Sequence, residues 1–417
     1  MDSSKRWIRI LPIAVITYTL AYLDRTNISM ALPAMCRDFG MAPQQAGNVA
    51  GVFFWGYLVL QIPGGYLAHR WSAKWVVGLL MLLWGVCAVA GGLVRTQQEC
   101  FVARLFLGVT EGGVFPAILV LLSNWFSKTE RARSNAYWML CQPIALILSA
   151  PLSGYILSRW NWRVLLIAEG ALPLAWLVVW MVRIDDRPEQ ARWLSAGARE
   201  CITVTLRREV AETDIEAHTP VMPHLFRPFV WQLALIYFLL NWGGFGLIFW
   251  LPTVIGGTRK LSSVSIGLVY SLPFVVAGVM MVLNSRDSDR TGERRNHVAI
   301  PLALGGTALF AAVLTVGHSA LLALVFVCLA GAAPFTALAP FWALPTDLLP
   351  RHVVGTVMGL VSGVGSIGGY CGTFMVGAMN QRFGDFRYAF SALSAVLVAA
   401  GWLTLLVKTN VVAVRES

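Results

Sequence analysis

Gly65-Tyr66-Leu67-Ala68-His69-Arg70-Trp71-Ser72-Ala73-Lys74 is a tight basic turn between two apolar runs. Its frame returns as Ser285-Arg286-Asp287-Ser288-Asp289-Arg290-Thr291-Gly292-Glu293-Arg294-Arg295. Both follow Gly-x-x-x-Asp-Arg-x-Gly-x-(Lys/Arg), each with departures. His69 stands for the acid and Ser72 for the second glycine in the first copy, and Ser285 for the first glycine in the second. A turn repeated at corresponding places indicates a chain made of two similar halves.

The runs on either side fix the class. With 57% hydrophobic and 13% charged residues and a mean hydropathy of +0.67, the composition is that of a polytopic membrane protein. Apolar runs of about 20 residues are long enough to cross a bilayer as helices. Twelve such runs occur, near 10–33, 46–68, 75–95, 100–123, 133–157, 162–183, 229–255, 264–284, 297–317, 320–346, 353–379 and 386–408. The first turn lies between spans 2 and 3, the second between spans 8 and 9. The longest polar segment, 185–228, divides the spans six and six. The expectation is an all-α membrane protein with twelve transmembrane helices, an N-terminal half 1–184, a cytoplasmic linker 185–228 and a C-terminal half 229–417. Part of the linker, 189–212, suits a surface helix.

Lysine and arginine concentrate in cytoplasmic connections. With the amino terminus inside, 22 of the 32 basic residues fall on that face and 8 on the other, leaving Arg25 and Arg104 within spans. Both termini are therefore expected in the cytoplasm and the protein in a plasma membrane, the inner membrane if the source is bacterial. The +11 net charge follows largely from this bias and does not call for nucleic acid. Only nine residues precede the first span and no small-residue cleavage site follows it, so no removable signal peptide is expected. Seven dispersed cysteines without Cys-x-x-Cys suggest neither a metal site nor a disulfide framework. No Gly-x-x-x-x-Gly-Lys-(Ser/Thr) run supports an ATP-driven pump. No cofactor and no enzymatic activity are expected, and the protein is expected to be a monomer.

Asp24, Arg25, Arg104 and Glu111 lie inside spans, where a charge at the bilayer centre costs about 2.5–3.5 kcal/mol on insertion scales. Arg104 and Glu111 are two helical turns apart and share a face of span 4. Asp24 and Arg25 project about 100° apart, so one should face span 4 and the other the central cavity. A neutral network that only fixes helix packing is disfavoured, because buried ion pairs stabilise less than apolar packing. Glu169 and Asp347, within two turns of their span ends, read as capping or helix-packing residues. A carboxylate taken out of water holds its proton more tightly, so it can load a proton on one face and release it on the other. On this reading Asp24 and Glu111 carry protons, and Arg25 binds a substrate carboxylate that competes for it.

The paired turns resemble those of the major facilitator superfamily, whose turn acids salt-bridge helix ends at the cytoplasmic gate. That resemblance implies gating roles for His69, Arg70, Asp289 and Arg290. His69 reads either as a surface histidine at a helix end or as a pH-sensitive gate contact. Tyr22-Leu23-Asp24-Arg25-Thr26-Asn27-Ile28, Arg104 through Glu111-Gly112-Gly113 to Pro116, Trp160-Asn161-Trp162-Arg163, Phe249-Trp250-Leu251-Pro252 and Pro340-Phe341-Trp342-Ala343-Leu344-Pro345 are similar to the anion:cation symporters, which import sugar acids and other organic anions with protons. Relatives that carry sugar acids such as galactonate imply that Tyr22, Arg25, Tyr57, Gln142 and Trp342 line a substrate cavity. They also imply that Asp24 and Glu111 titrate and that Arg104 partners Glu111. Span 11 departs from that pattern: Ser362 and Ser366 stand where such relatives have asparagines, and Ala339 stands where a serine occurs. Fewer hydrogen-bonding groups suit an anion less hydroxylated than a hexonate, such as a short or aromatic carboxylate. Gly365, Gly368, Gly369 and Gly372, at small-xxx-small spacing, suit close helix contact.

Importing an organic carboxylate by proton symport through alternating access is thus the leading expectation. A proton-coupled efflux antiporter or an anion exchanger of the same fold is the alternative. Efflux proteins usually carry Gly-Pro-x-x-Gly-Gly in span 5, which Ala150-Pro151-Leu152-Ser153-Gly154 matches only in part. A transporter-like sensor is disfavoured by the short linker and tail.

Overall fold

In lipid every backbone N–H and C=O must find a partner within the protein, which leaves the helix as the economical way across for these apolar runs. The computed structural model describes residues 4–216, 222–258, 261–349 and 351–408, with side chains at 128, 129, 132, 210–216, 258, 351 and 352 excepted. Of the basic residues used to assign orientation, Arg259, Lys260 and Arg415 lie outside the described residues, as do the side chains of Lys128 and Arg351.

Among the described residues twelve helices are long and apolar enough to span: Lys5–Phe39, Pro43–Arg70, Ala73–Leu93, Gln97–Trp125, Arg133–Arg159, Trp162–Arg183, Pro228–Gly257, Ser263–Thr291, Arg295–Thr315, Ala320–Leu348, Val353–Phe383 and Phe386–Leu405. They are called spans 1 to 12. The expected runs are all there, but several helices extend beyond them into charged turns because hydropathy marks only the lipid-buried part. Three spans are interrupted. Span 1 breaks at Asn27 between Lys5–Thr26 and Ile28–Phe39, and span 4 at Gly113 between Gln97–Gly112 and Val114–Trp125. The fifth crossing begins as Lys128–Met139 and resumes, after Leu140, as Cys141–Arg159.

The chain forms two compact units, Met1–Met41 with Val52–His218 and Leu261–Gly267, and Ala42–Gly51 with Thr219–Lys260 and Leu268–Ser417. In the first, span 3 packs on spans 4 and 6, and span 1 on span 5. In the second, span 9 packs on spans 10 and 12, and span 7 on span 11. Each pairing recurs six spans later, as a duplicated chain requires. Small residues set the closeness. In the second unit a Cβ at Gly368 would run into the Phe238 carbonyl and one at Gly372 into the Trp242 carbonyl. These glycines serve backbone contact, as their spacing suggested. The linker carries a 3₁₀ turn, Pro188–Gln190, and the helix Ala196–Glu216, starting seven residues later than expected because Pro188 and the turn after it delay it. Trp193 anchors the linker by stacking on Trp125 at 5.4 Å and donating to Asp185 Oδ2 at 2.7 Å.

The two signature turns differ locally. Gly292 has φ +69, a left-handed conformation that glycine adopts without penalty. Its counterpart Ser72 is extended and caps span 3, its Oγ accepting from Trp75 N at 3.2 Å. His69 replaces an acid there, and Asp186 supplies one from the linker: its Oδ1 accepts from Lys74 N at 2.9 Å in the first turn of span 3. In the second unit Arg294 binds Asp289 Oδ1 at 2.6 Å and Asp347 Oδ2 at 3.1 Å, tying the turn to the end of span 10. Burial opposes the Arg294 charge, yet its hydrogen bonds to Asp289 and Asp347 outweigh that and raise its pKa above the ordinary value. His69, Arg70 and Arg290 are exposed, and Arg70 Nη1 donates to its own helix's Tyr66 hydroxyl at 3.3 Å.

Candidate functional site

Within the first unit, Asp24 (1% exposed), Arg25 (5%), Arg104 (6%) and Glu111 (0%) are all buried. Two of them sit beside helix breaks: Arg25 two residues before Asn27 and Glu111 two residues before Gly113. Gly108 and Gly112 let span 4 approach span 2 backbone to backbone, since a Cβ on either would meet the carbonyl of Phe53 or Tyr57. This contact brings the Phe53 and Tyr57 rings to the charged cluster.

Arg25 Nε and Nη2 both donate to Glu111 Oε2, at 3.3 and 3.2 Å. The guanidinium carbon lies 4.5 Å from the ring centroid of Tyr57, 5.1 Å from those of Tyr22 and Phe53, and 5.9 Å from that of Tyr18. The Tyr18 and Tyr57 hydroxyls are 3.4 Å apart. One carboxylate and four aromatic faces thus hold the cation in a desolvated place, where cation–π contacts are strongest.

Arg104, the expected partner of Glu111, donates from Nη1 to the Asp24 carbonyl at 3.4 Å and from Nη2 to the Arg25 carbonyl at 3.2 Å. Those carbonyls belong to the last turn before the break, where helical acceptors lose their N–H partners and a cation is favourable. The ion pair on Glu111 Oε2 is Arg25's. Asp24 and Arg25 diverge as expected for adjacent residues, but the span 4 carboxylate goes to Arg25, while Asp24 shares a small cavity with Arg104 and Asn27. Glu169 is 1% exposed and accepts from Ser153 Oγ at 2.7 Å, joining spans 5 and 6. Gln142 is half-buried, one residue into the resumed helix of span 5.

In the second unit Trp342 is buried in span 10. Tyr237 of span 7 meets its ring edge-on at 4.8 Å and stacks on Phe341 at 5.1 Å. Ser366 Oγ donates to the Ser362 carbonyl in its own helix at 3.0 Å, and Ser362 is half-buried. A Cβ at Gly365 would collide with the Tyr237 ring. Tyr18, Phe53, Tyr237 and Glu169 were not among the expected site residues. Tyr18 is seven residues before Arg25, two helical turns, so its place on the same face was available from spacing. Tyr237 carried no such signal.

Residues 14–373 match the profile of the Major Facilitator Superfamily. The chain belongs to the major facilitator superfamily. It is 33% identical over 408 residues to a putative tartrate transporter of Agrobacterium vitis, covering 95% of this chain and 89% of that one. It is 30% identical to a quinolone resistance transporter of Acinetobacter baumannii, over 98% of this chain and 96% of the relative. The fold matches a D-xylose-proton symporter structure with a TM-score of 0.77 at 14% identity, covering 95% and 97% of the two chains. The protein is accordingly a multi-pass membrane transporter rather than an enzyme.

Proposed function

We propose that the protein imports a small organic carboxylate together with protons by alternating access. The observation that carries this reading is the buried Arg25–Glu111 pair inside a cage of Tyr18, Tyr22, Phe53 and Tyr57. Arg25 is held by a single carboxylate oxygen, Glu111 Oε2, through two of its nitrogens. A substrate carboxylate is the natural competitor for that fork. Protonating Glu111 removes its charge and releases Arg25 to the substrate; losing the proton recaptures Arg25 and expels the anion. Asp24, with its charge also removed by a proton, leaves the arginines unopposed while the anion is bound. In the first unit Tyr22, Tyr57 and Gln142 are proposed as substrate-contacting residues beside Arg25; in the second unit, taken by itself, Trp342, Ser362 and Ser366 are proposed for the same role.

The relative named for tartrate supports a short carboxylate. So does span 11, where Ser366 spends its hydroxyl on its own backbone and offers a polyol less than asparagine would. His69, Arg70, Asp289 and Arg290 are proposed to act at the gate, with Asp289 doing so through Arg294. We also propose the orientation with both termini in the cytoplasm.

The test is a thermal-stability screen of carboxylates on purified protein, repeated with Arg25→Ala. Short carboxylates should raise the unfolding midpoint of wild type and leave Arg25→Ala unmoved. Stabilisation that survives Arg25→Ala sinks the anion role. Tightest binding by a six-carbon polyhydroxy acid sinks the size assignment.

A further inference from the structure

Arg25 turns to Glu111, and Asp24 turns to a cavity of about 20 Å3 lined by Asp24, Asn27, Cys87, Gly91, Cys100 and Arg104 with apolar neighbours. Trp84 stands beside the Asp24 carboxylate. Neither Asp24 oxygen, nor Asn27 Oδ1, meets hydrogen-bond geometry with any of the described residues. Three buried acceptors that no donor reaches in good geometry are expensive, about 1–3 kcal/mol each. A cavity of this size with two to four polar partners accommodates one water.

The position of the cavity matters as much as its lining. Gly91 is two residues before the end of span 3 at Leu93, and Cys100 three residues after the start of span 4 at Gln97. The cavity therefore runs from Asp24, in the middle of span 1, towards the turn at 94–96. Gly91 is half-buried, and a Cβ built on it meets nothing within 4 Å. With no side chain at Gly91, only backbone walls that end of the cavity.

We propose that this cavity is the proton route to Asp24: one water, held by Asp24 and Asn27, relays protons between the carboxylate and the aqueous phase at the 94–96 turn, past Gly91. In the loading direction the bound water gives a proton to an Asp24 oxygen and takes one from a hydronium arriving past Gly91. Asp24 gains one proton and the hydronium becomes water. The route rests on the reading of Asp24 as a proton carrier. The groups that share its field are Arg104, Glu111 and Glu169, with the Cys87 and Cys100 thiols in the cavity wall. The consequence is that proton and anion approach from different sides of the Asp24-Arg25 pair, so substrate on Arg25 does not obstruct protonation of Asp24.

Two measurements test this. The first, independent of transport, is radiolytic footprinting in ¹⁸O-water. Cys100, only 2% exposed, should take up label in wild type and lose most of it in Gly91→Leu; an unlabelled wild-type Cys100 overturns the proposal. The second compares uptake driven by a pH gradient with substrate counterflow in proteoliposomes. Gly91→Leu, and Ala103→Val as a milder filling at another residue of the cavity wall, should slow gradient-driven uptake about fivefold or more, a barrier of about 1 kcal/mol. Counterflow should stay at wild-type rates. Gradient-driven uptake at the wild-type rate in both variants overturns the route, as does equal loss of counterflow in both. Asp24→Asn, run alongside, separates the two ideas: gradient-driven uptake that survives it refutes Asp24 as the proton carrier itself.

Discussion

The Arg25–Glu111 pair is open to a double-mutant cycle whose outcome follows from its burial. At 3.2 Å and an effective dielectric constant of about 20, the direct attraction is about 5 kcal/mol. Most of that offsets the cost of desolvating two ions, so the net worth of the pair against apolar packing is small. Removing one partner is different, because it strands the other. Arg25→Met and Glu111→Leu should each destabilise the protein by about 3–5 kcal/mol, whereas the double variant should lie within about 1 kcal/mol of wild type. Aromatic faces around Arg25, the nearest at 4.5 Å, recover about 1–2 kcal/mol for a stranded guanidinium, which puts Glu111→Leu at the lower end. A stranded Glu111 carboxylate can be neutralised by a proton. The Arg25→Met deficit should therefore shrink as pH falls, while that of Glu111→Leu should not. Unfolding in mixed detergent micelles across a pH series measures all three. Additive behaviour, with the double variant within about 0.5 kcal/mol of the summed singles, would refute the pairing.

Three further perturbations probe the surroundings of the pair and the packing. Tyr57→Leu removes the closest ring face from Arg25 and should weaken anion binding about tenfold, roughly 1.4 kcal/mol, whereas Tyr57→Phe keeps the face and should bind within about twofold of wild type; equal behaviour of the two contradicts the cage. Gly368→Leu drives a side chain into the Phe238 carbonyl and should abolish monodisperse protein on size exclusion, while Gly359→Leu, which has open space in the same span, should purify normally. Ser153→Ala takes the donor from the buried Glu169 carboxylate and should cost about 1–3 kcal/mol; an unchanged unfolding midpoint would show that this bond carries no stability.

Much of the architecture was readable in the sequence, because lipid makes the rules few. Each span must be helical and apolar, so hydropathy located all twelve, and the copy of the 65–74 turn at 285–295 revealed the duplication. Helix breaks were not read from the sequence: Asn27, Gly113 and Leu140 lie inside runs long enough to pass for continuous helices. Their effect on the site was equally hidden. Spacing placed Arg104 and Glu111 on one face but did not show that Arg25 forks onto the Glu111 carboxylate. That depends on the break at Asn27, which exposes the carbonyls that Arg104 caps, and on Gly108 and Gly112, which draw span 2 inwards. The acid missing at His69 was visible in the sequence, but its replacement by Asp186, more than a hundred residues away, depends on how the linker folds back.

The central claim is that protonation of two buried carboxylates drives anion uptake. Uptake of a labelled short carboxylate into proteoliposomes under an imposed pH gradient, compared among wild type, Asp24→Asn and Glu111→Gln, tests it most directly. Wild type should accumulate the anion above equilibrium and lose accumulation when the gradient is collapsed, and both variants should fail to accumulate while retaining counterflow. Accumulation by either variant that tracks the gradient as wild type does, or export of the anion by wild type under the same gradient, would contradict it.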